Sequence, residues 1–334
     1  MNQFTSKIQE NLFLEDNFNF NEFALKLFDY QYEHNNVYRQ FVDLLKIDKS
    51  SIDSYLKIPF LPISFYKTHK VISGNLNEQK IFESSGTTGQ INSKHFVADL
   101  SLYEQSFLKA FQQFYGNIED WIVLALLPSY LERDTSSLVY MADVLIRKTK
   151  SEHSGFYLYN YASLKDKLDE LQTKKYSNKK ILLLGVTFAL LDFAEQYPMD
   201  LSNVIIMETG GMKGKRPEML REEIHAILNK AFHTTNIHSE YGMTELLSQA
   251  YSFGNGIFQA PKWMKIVKRD IYNPMLVTEN TGRGGLNVID LANIHSCAFI
   301  ATEDIVQIHS DNTFEVVGRI DNAAIRGCNL MVSM

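Results

Sequence analysis

Between residues 121 and 238, apolar runs of strand length alternate with stretches of helical spacing, and this alternation restricts the fold more than any other feature of the chain. The runs are Trp121–Leu127, Phe156–Tyr159, Ile181–Leu184, Val204–Met207 and Asn236–His238. Between them lie Ser136–Arg147, Leu164–Thr173, Phe188–Gln196 and Pro217–Phe232, the last opened by a proline suited to a first helical turn. Strands covered on both faces read as continuous apolar runs, and strand–helix alternation points to a parallel sheet flanked by helices. The fold class is α/β.

The texture changes after residue 250. Leu286–Asp290, Ala298–Ala301, Ile305–His309 and Phe314–Val317 are short and separated by turn residues such as Gly284-Gly285 and Ser310-Asp311-Asn312. They read as antiparallel strands of a β-rich C-terminal subdomain. Upstream, Phe23, Leu25, Leu27 and Phe28, then Tyr38, Phe41, Val42 and Leu45, carry the spacing of two amphipathic helices. The segment Ile58-Pro-Phe-Leu-Pro-Ile-Ser-Phe is too rich in proline for a helix and reads as extended chain. The expected organisation is a helical segment over 1–50, an α/β core over 51–250, and a β-rich subdomain over 251–334.

Several classes of function are disfavoured. A net charge of −6 without a Lys/Arg run is unlike a nucleic-acid-binding face. No stretch approaches the roughly 20 apolar residues of a membrane span, and the start lacks a signal-peptide core. Cys297 and Cys328 form neither a metal pattern nor a disulfide framework, so the expected setting is the reducing cytoplasm. The histidines form no HExxH pair, and GxSxG is absent.

Three constellations carry chemistry. In Glu83-Ser84-Ser85-Gly86-Thr87-Thr88-Gly89, small residues let amide groups turn inward as an anion nest, and the hydroxyls add donors for phosphate oxygens. The loop is not a Walker A sequence, since no lysine follows Gly89 directly. Alone, such a turn is more often solvated. In Glu240-Tyr241-Gly242-Met243-Thr244-Glu245 an aromatic ring, a glycine, a hydroxyl and a carboxylate follow a strand end. Mg²⁺ typically takes one or two protein carboxylates plus substrate phosphates. The bland alternative makes Tyr241 a core residue and Glu245 a surface charge. In Thr302-Glu303-Asp304 and Gly318-Arg319-Ile320-Asp321, Asp304 is a candidate acceptor for ribose hydroxyls and Arg319 a candidate phosphate or ribose donor.

Taken in order, SSGTTG, YGMTE, TED and GRIDNAAIRG resemble the motif set of the adenylate-forming superfamily of acyl-CoA synthetases, adenylation domains and luciferases. The resemblance implies the N-terminal-type fold of those enzymes. It makes Ser84, Ser85, Gly86, Thr87, Thr88 and Gly89 the pyrophosphate loop, with Tyr241 on adenine and Thr244 at the α-phosphate. It assigns Mg²⁺ to Glu245 and the ribose to Asp304, with Arg319 nearby, and Gly210-Gly211 to the adenine pocket. Within the superfamily, Ile58-Pro-Phe-Leu-Pro-Ile-Ser-Phe-Tyr-Lys-Thr-His and Pro128-Ser-Tyr-Leu-Glu-Arg-Asp-Thr-Ser-Ser-Leu-Val are similar to the acyl-protein synthetase (LuxE) family.

Most superfamily members add a mobile C-terminal domain with an adenylating lysine, and the expectation here is that this domain is absent. The family resemblance implies ATP-dependent activation of a carboxylic acid, a fatty acid by family analogy, with Mg²⁺. Acyl transfer to a thiol would follow, then transfer to a reductase or transferase partner. Cys328, beside the Arg326 cation that could lower its pKa, is the candidate thiol, set against ordinary packing of a small apolar side chain. Cys297, in an expected strand, reads as packing. An acyl-CoA or carrier-protein ligase, with CoA as acceptor, is the alternative. A non-catalytic nucleotide- or acyl-binding scaffold is the third reading.

Overall fold

A computed structural model describes residues 12–13, 19–85, 91–128, 134–173, 178–212 and 215–320. The chain divides into two units. The first comprises 1–81, 93–102 and 259–334, and the second 82–92 and 103–258.

The second unit holds the alternating region. Its strands β4 (Trp121–Leu126), β5 (Gly155–Tyr157), β6 (Lys180–Val186), β7 (Val204–Thr209) and β8 (His238–Tyr241) pair in parallel in the order β5-β4-β6-β7-β8. All six residues of β4 and six of the seven in β6 are buried, which is why these segments read as unbroken apolar runs. The strand β9 (Ala250–Ser252) closes antiparallel on β8, pairing Ala250 with Tyr241, and the short β10 (Phe258–Gln259) follows.

Helices connect the parallel strands. The helix α5 (Ser137–Lys148) begins where the Ser136 hydroxyl accepts the Val139 amide at 3.3 Å. Asn160 caps α6 (Tyr161–Leu171) in the same way. The helix α7 (Thr187–Gln196) buries residues on nearly every side, from Thr187 and Phe188 to Phe193 and Ala194. The helix α8 spans Arg221–Phe232, four residues short of the expected start at Pro217. Arg216 grips Asp192 at 2.8 Å and Glu195 at 2.7 Å, both on α7, which ties down the approach as extended chain. The true start is marked by Glu223, whose carboxylate accepts the Leu220 amide at 3.0 Å.

One long helix was not anticipated. This is α4 (Leu100–Tyr115), whose buried residues Phe107, Ala110 and Phe111 recur at helical spacing.

In the first unit, α1 (Phe20–His34) and α2 (Asn36–Leu44) are the two expected amphipathic helices. The buried Gln31 side chain donates to Asn293 O at 2.8 Å and accepts from the Ala298 amide at 2.9 Å. The Tyr38 ring stacks on Phe299 with centroids 6.1 Å apart. The proline-rich segment supplies β1 (Leu61–Pro62), parallel to β14 (Phe299–Ile308), and the chain then turns into α3 (Phe65–Thr68) once the prolines end. β2 (Lys80–Glu83) and β3 (Lys94–Val97) form a separate two-stranded ribbon.

The expected antiparallel strands are present as β13 (Gly282–Asp290), β14 (Phe299–Ile308) and β15 (Phe314–Arg319); β11 (Met264–Arg269) and β12 (Val277–Thr278), not expected, extend them in the order β12-β11-β13-β14-β15. The runs read as two strands, Ala298–Ala301 and Ile305–His309, are one strand, β14. The polar residues between them stay in the sheet because the Thr302 hydroxyl bonds Leu286 O at 2.9 Å. Cys297 lies two residues before that strand rather than inside it.

Candidate functional site

The second unit gathers polar side chains at the carboxyl ends of its parallel strands, where open α/β sheets bind ligands. Thr209, last in β7, pairs with Glu240 of β8, and its hydroxyl donates to the Glu240 carboxylate at 2.5 Å. A cavity of about 100 Å³ opens there, walled by Ser85, Ser136, Gly210, Glu240, Thr244 and Gln249 among others. That volume is below the roughly 300–1,000 Å³ of sites for drug-sized ligands. It suits one polar group of a larger molecule. Ser136 and Ser137, at the start of α5, belong to the same wall.

Two glycine features shape this rim. Gly210 and Gly211 have φ of 76° and 71°, a left-handed pair that takes the chain off the end of β7. Gly242 is required by contact. A Cβ there would lie 2.3 Å from Glu240 Oε1 and 3.3 Å from Gln249 Cγ.

Behind the rim sits a buried carboxylate. Glu208 of β7 accepts hydroxyl bonds from Thr187 at 2.8 Å and Ser239 at 2.7 Å, with Arg221 Nε and His225 Nε2 each 3.6 Å away. Burial pushes its pKa up. The opposing pulls of His225, Arg221, Ser239 and Thr187 together outweigh burial and hold it below the ordinary glutamate range. Thr187 also accepts the Gly211 amide at 3.2 Å, which fixes the double-glycine turn.

The residues named from sequence distribute as follows. Ser85, Gly210 and Thr244 share the cavity wall, and Ser84 and Gly211 adjoin it in the chain. Tyr241 packs edge-on against Phe258, with centroids 6.0 Å apart, and its hydroxyl reaches Met243 Sδ at 3.3 Å. Glu245 is 4% exposed, so it is not the surface charge of the bland reading, and it is not part of the cavity wall. Gly86, Thr87, Thr88, Gly89 and Cys328 lie outside the described residues.

Asp304 and Arg319 belong to the first unit. They oppose one another across β14 and β15, with Arg319 Nε 3.5 Å from Asp304 Oδ1 and its other arm 3.3 Å from Glu303. Asp304 is largely shielded while the Arg319 side chain is 71% exposed. The same unit contains an apolar cavity of about 550 Å³, with Phe41, Ile58, Phe60, Met275 and Arg269 on its wall.

The sequence reading gave Glu240 no role of its own and missed Glu208 and Gln249. A lone carboxylate inside an apolar run, as in Val204–Thr209, is the available signal for Glu208, since buried acids are almost always paired. Gln249 carried none.

The donor types on this wall suit one phosphate group of a larger ligand and a divalent ion beside it. Hydroxyls suit phosphate oxygens, and the carboxylates Glu83 and Glu240 on the wall, with buried Glu245 beside Thr244, suit a hard cation. Among the described residues no cluster of three or more His, Cys, Asp or Glu side chains forms a protein-only metal site. Nor is any described helix long and apolar enough to cross a membrane.

Comparison with known proteins identifies a family and a shared fold. The profile of the family described as acyl-protein synthetase, LuxE, matches residues 13–334. Among solved structures, an open conformation of 2-hydroxyisobutyryl-CoA ligase in complex with 2-HIB-AMP and CoA has a TM-score of 0.66 at 11% identity, covering 90% of this chain and 69% of that one. The same ligase in its thioester-forming state gives 0.65 at 13% identity, covering 90% and 67%. ATP-bound MatB from Rhodopseudomonas palustris gives 0.53 at 13% identity, covering 72% of this chain and 47% of that one. The match thus spans about half the length of MatB, and identities this low establish a shared fold. No curated protein sequence matches the chain.

Proposed function

This chain belongs to the acyl-protein synthetase (LuxE) family, and from that premise we propose that it activates a carboxylic acid with ATP. A carboxylate oxygen attacks the α-phosphorus, a new P–O bond forms, and pyrophosphate leaves with the electron pair of the broken bond. The products are an acyl-adenylate and pyrophosphate.

The observation that carries this reading is the convergence of Ser85, Gly210 and Thr244 on one polar cavity at the strand ends. Those residues are distant in sequence and were each named for the same ligand. In the proposed roles, the hydroxyls and amides of Ser84–Gly89 hold the pyrophosphate portion and Thr244 donates to the α-phosphate. Tyr241 supports the base beside Gly210 and Gly211, Asp304 accepts from the ribose, and Arg319 donates nearby. Mg²⁺, held by Glu245, would neutralise charge on the phosphate oxygens. The protein's own contribution is positioning and fixed donors aimed at developing charge.

The second half of the proposal is attack of a thiolate on the acyl carbon, which forms a thioester and releases AMP. Cys328 is the candidate thiol, and a fatty acid the family-level substrate. Coenzyme A is the alternative acceptor; the 2-hydroxyisobutyryl-CoA ligase structures hold CoA. A reductase or transferase would take the acyl group onward.

ATP–pyrophosphate exchange with a panel of carboxylic acids, comparing wild type with Glu245→Ala, tests the reading. Acid-dependent exchange that collapses in the variant supports it. ATP binding without exchange for any acid leaves a non-catalytic scaffold.

A further inference from the structure

The apolar cavity of about 550 Å³ lies wholly within the first unit. Its volume is in the range of sites that enclose a small molecule. Phe41, Ile58, Phe60 and Ala301 give it an apolar wall, and half-exposed Met275 opens it to solvent. Beside Met275 in the chain, Tyr272 and Leu276 are 80% and 59% exposed. Their turn is fixed by Asp270, whose carboxylate accepts the amides of Tyr272 and Asn273, each at 2.8 Å. Exposed apolar side chains gathered beside an apolar cavity mark a binding surface.

Three charged residues share the wall: Lys57, Arg269 and Glu303. Lys57 is paired with Asp53 at 2.9 Å, and Glu303 with Arg319 at 3.3 Å. Arg269 meets only neutral oxygens among the described residues. Its Nη1 donates to Leu286 O and Asn287 Oδ1, and its Nη2 to Thr302 O. A guanidinium has five N–H donors, so Nε and one hydrogen on Nη2 are left without a partner there. The side chain crosses from β11 to β14 over Gly285, where a Cβ would come 2.8 Å from Arg269 Cζ. Gly285 is not part of the cavity wall and Arg269 is, so the guanidinium lies between sheet and cavity with one face turned to each. A buried cation is costly unless an opposite charge meets it. Burial pulls the Arg269 pKa below the ordinary arginine value, with Asp304 opposing from outside ion-pair range.

We propose that this cavity binds an aliphatic carboxylate, its chain along Phe41, Ile58 and Phe60 and its ionised head on the two remaining donors of Arg269. Guanidinium donors match a planar carboxylate. One uncompensated positive charge, with Glu303 on the same wall, favours a monoanion over a phosphate dianion. None of the residues proposed above to hold ATP lies on this wall, so the site does not rest on the adenylation reading.

The test is equilibrium dialysis of the full chain, without ATP or Mg²⁺, against dodecanoate, dodecan-1-ol and dodecylammonium. The expected result is saturable binding of dodecanoate with a Kd at least tenfold lower than for the alcohol or the amine. A dodecanoate carrying a diazirine near its chain end should label peptides holding residues 56–64 or 274–277. Ala301→Leu, which puts bulk into the cavity, should weaken binding at least tenfold and remove that labelling. Arg269→Gln should erase the preference for the acid; should it fail to fold, the wild-type ranking of head groups decides alone. Equal affinity for the three head groups overturns the proposal. Labelling confined to residues 136–141 or 240–249 overturns it too, since the acid would then sit in the strand-end cavity, and leaves adenylation standing. No saturable binding, the cavity being covered by another segment or by a second copy of the chain, also overturns it.

Discussion

Thr187 donates its hydroxyl to Glu208 at 2.8 Å and accepts the Gly211 amide at 3.2 Å, so one side chain couples a buried carboxylate to the turn that rims the cavity. The charge at Glu208 therefore underlies both the stability of the second unit and the shape of its site.

Glu208→Gln should keep the packing and lose the charge that faces Arg221 and His225. A loss of about 3 kcal/mol at neutral pH is expected, the scale for breaking a buried charge pair. The sign of the pH dependence follows from a folded pKa held below the unfolded value. Stabilisation is complete above the unfolded value of about 4.3 and is lost as pH falls through the folded pKa. Urea melts of the two proteins should thus differ clearly at pH 7 and converge as the pH drops below about 4.

Gly242→Ala places a methyl group 2.3 Å from Glu240 Oε1, so the carboxylate must leave Thr209 or the loop must move. Activity should fall by about tenfold or more, a typical loss for a misplaced site. The circular dichroism spectrum and melting temperature should change little, because Gly242 is exposed and lies outside the strands.

Arg269 offers a test in the first unit. Its guanidinium, 8% exposed, donates to Leu286 O at 2.6 Å, Asn287 Oδ1 at 2.7 Å and Thr302 O at 2.5 Å, beside the irregularity in the β13–β14 pairing. Lysine has one nitrogen and cannot span three such acceptors. Arg269→Lys should destabilise the protein by roughly 2–4 kcal/mol, the cost of leaving buried acceptors unpaired, measured by urea denaturation.

Cys297 should be inert. It is fully buried, and burial pushes its thiol up to about 12, partly offset by a backbone hydrogen bond with Phe299. At pH 8 it should resist a thiol reagent in the native protein and react on unfolding. A hydroxylamine-sensitive acyl adduct formed with ATP and substrate should map to the peptide holding Cys328. Finding it on Cys297 would contradict the proposal.

The α/β fold was readable because strands such as Trp121–Leu126 are buried on both faces and leave an unbroken apolar signature. Where elements were misread, a tertiary contact supplied what local pattern could not. Arg216 held the chain before Arg221 out of the helix despite Pro217, and Thr302 kept a polar stretch inside β14 by bonding to Leu286. β11 passed unnoticed because its buried residues, Met264, Val267 and Arg269, do not recur at every second position and the last of them is a charge. The motifs named Thr244, Ser85 and Gly210, which share one cavity wall. Glu208 is defined by its partners, and residue type alone says nothing of them.

The central claim is that an oxygen of the acid becomes an oxygen of AMP. Incubating the protein with ATP, Mg²⁺, an acceptor thiol and an acid that supports exchange, its carboxylate labelled with ¹⁸O, tests this directly by mass spectrometry of the nucleotide product. AMP carrying one ¹⁸O is the predicted result, since attack on the acyl carbon leaves the bridging oxygen with phosphorus. Unlabelled AMP, or ADP with the label in inorganic phosphate, would contradict the acyl-adenylate route.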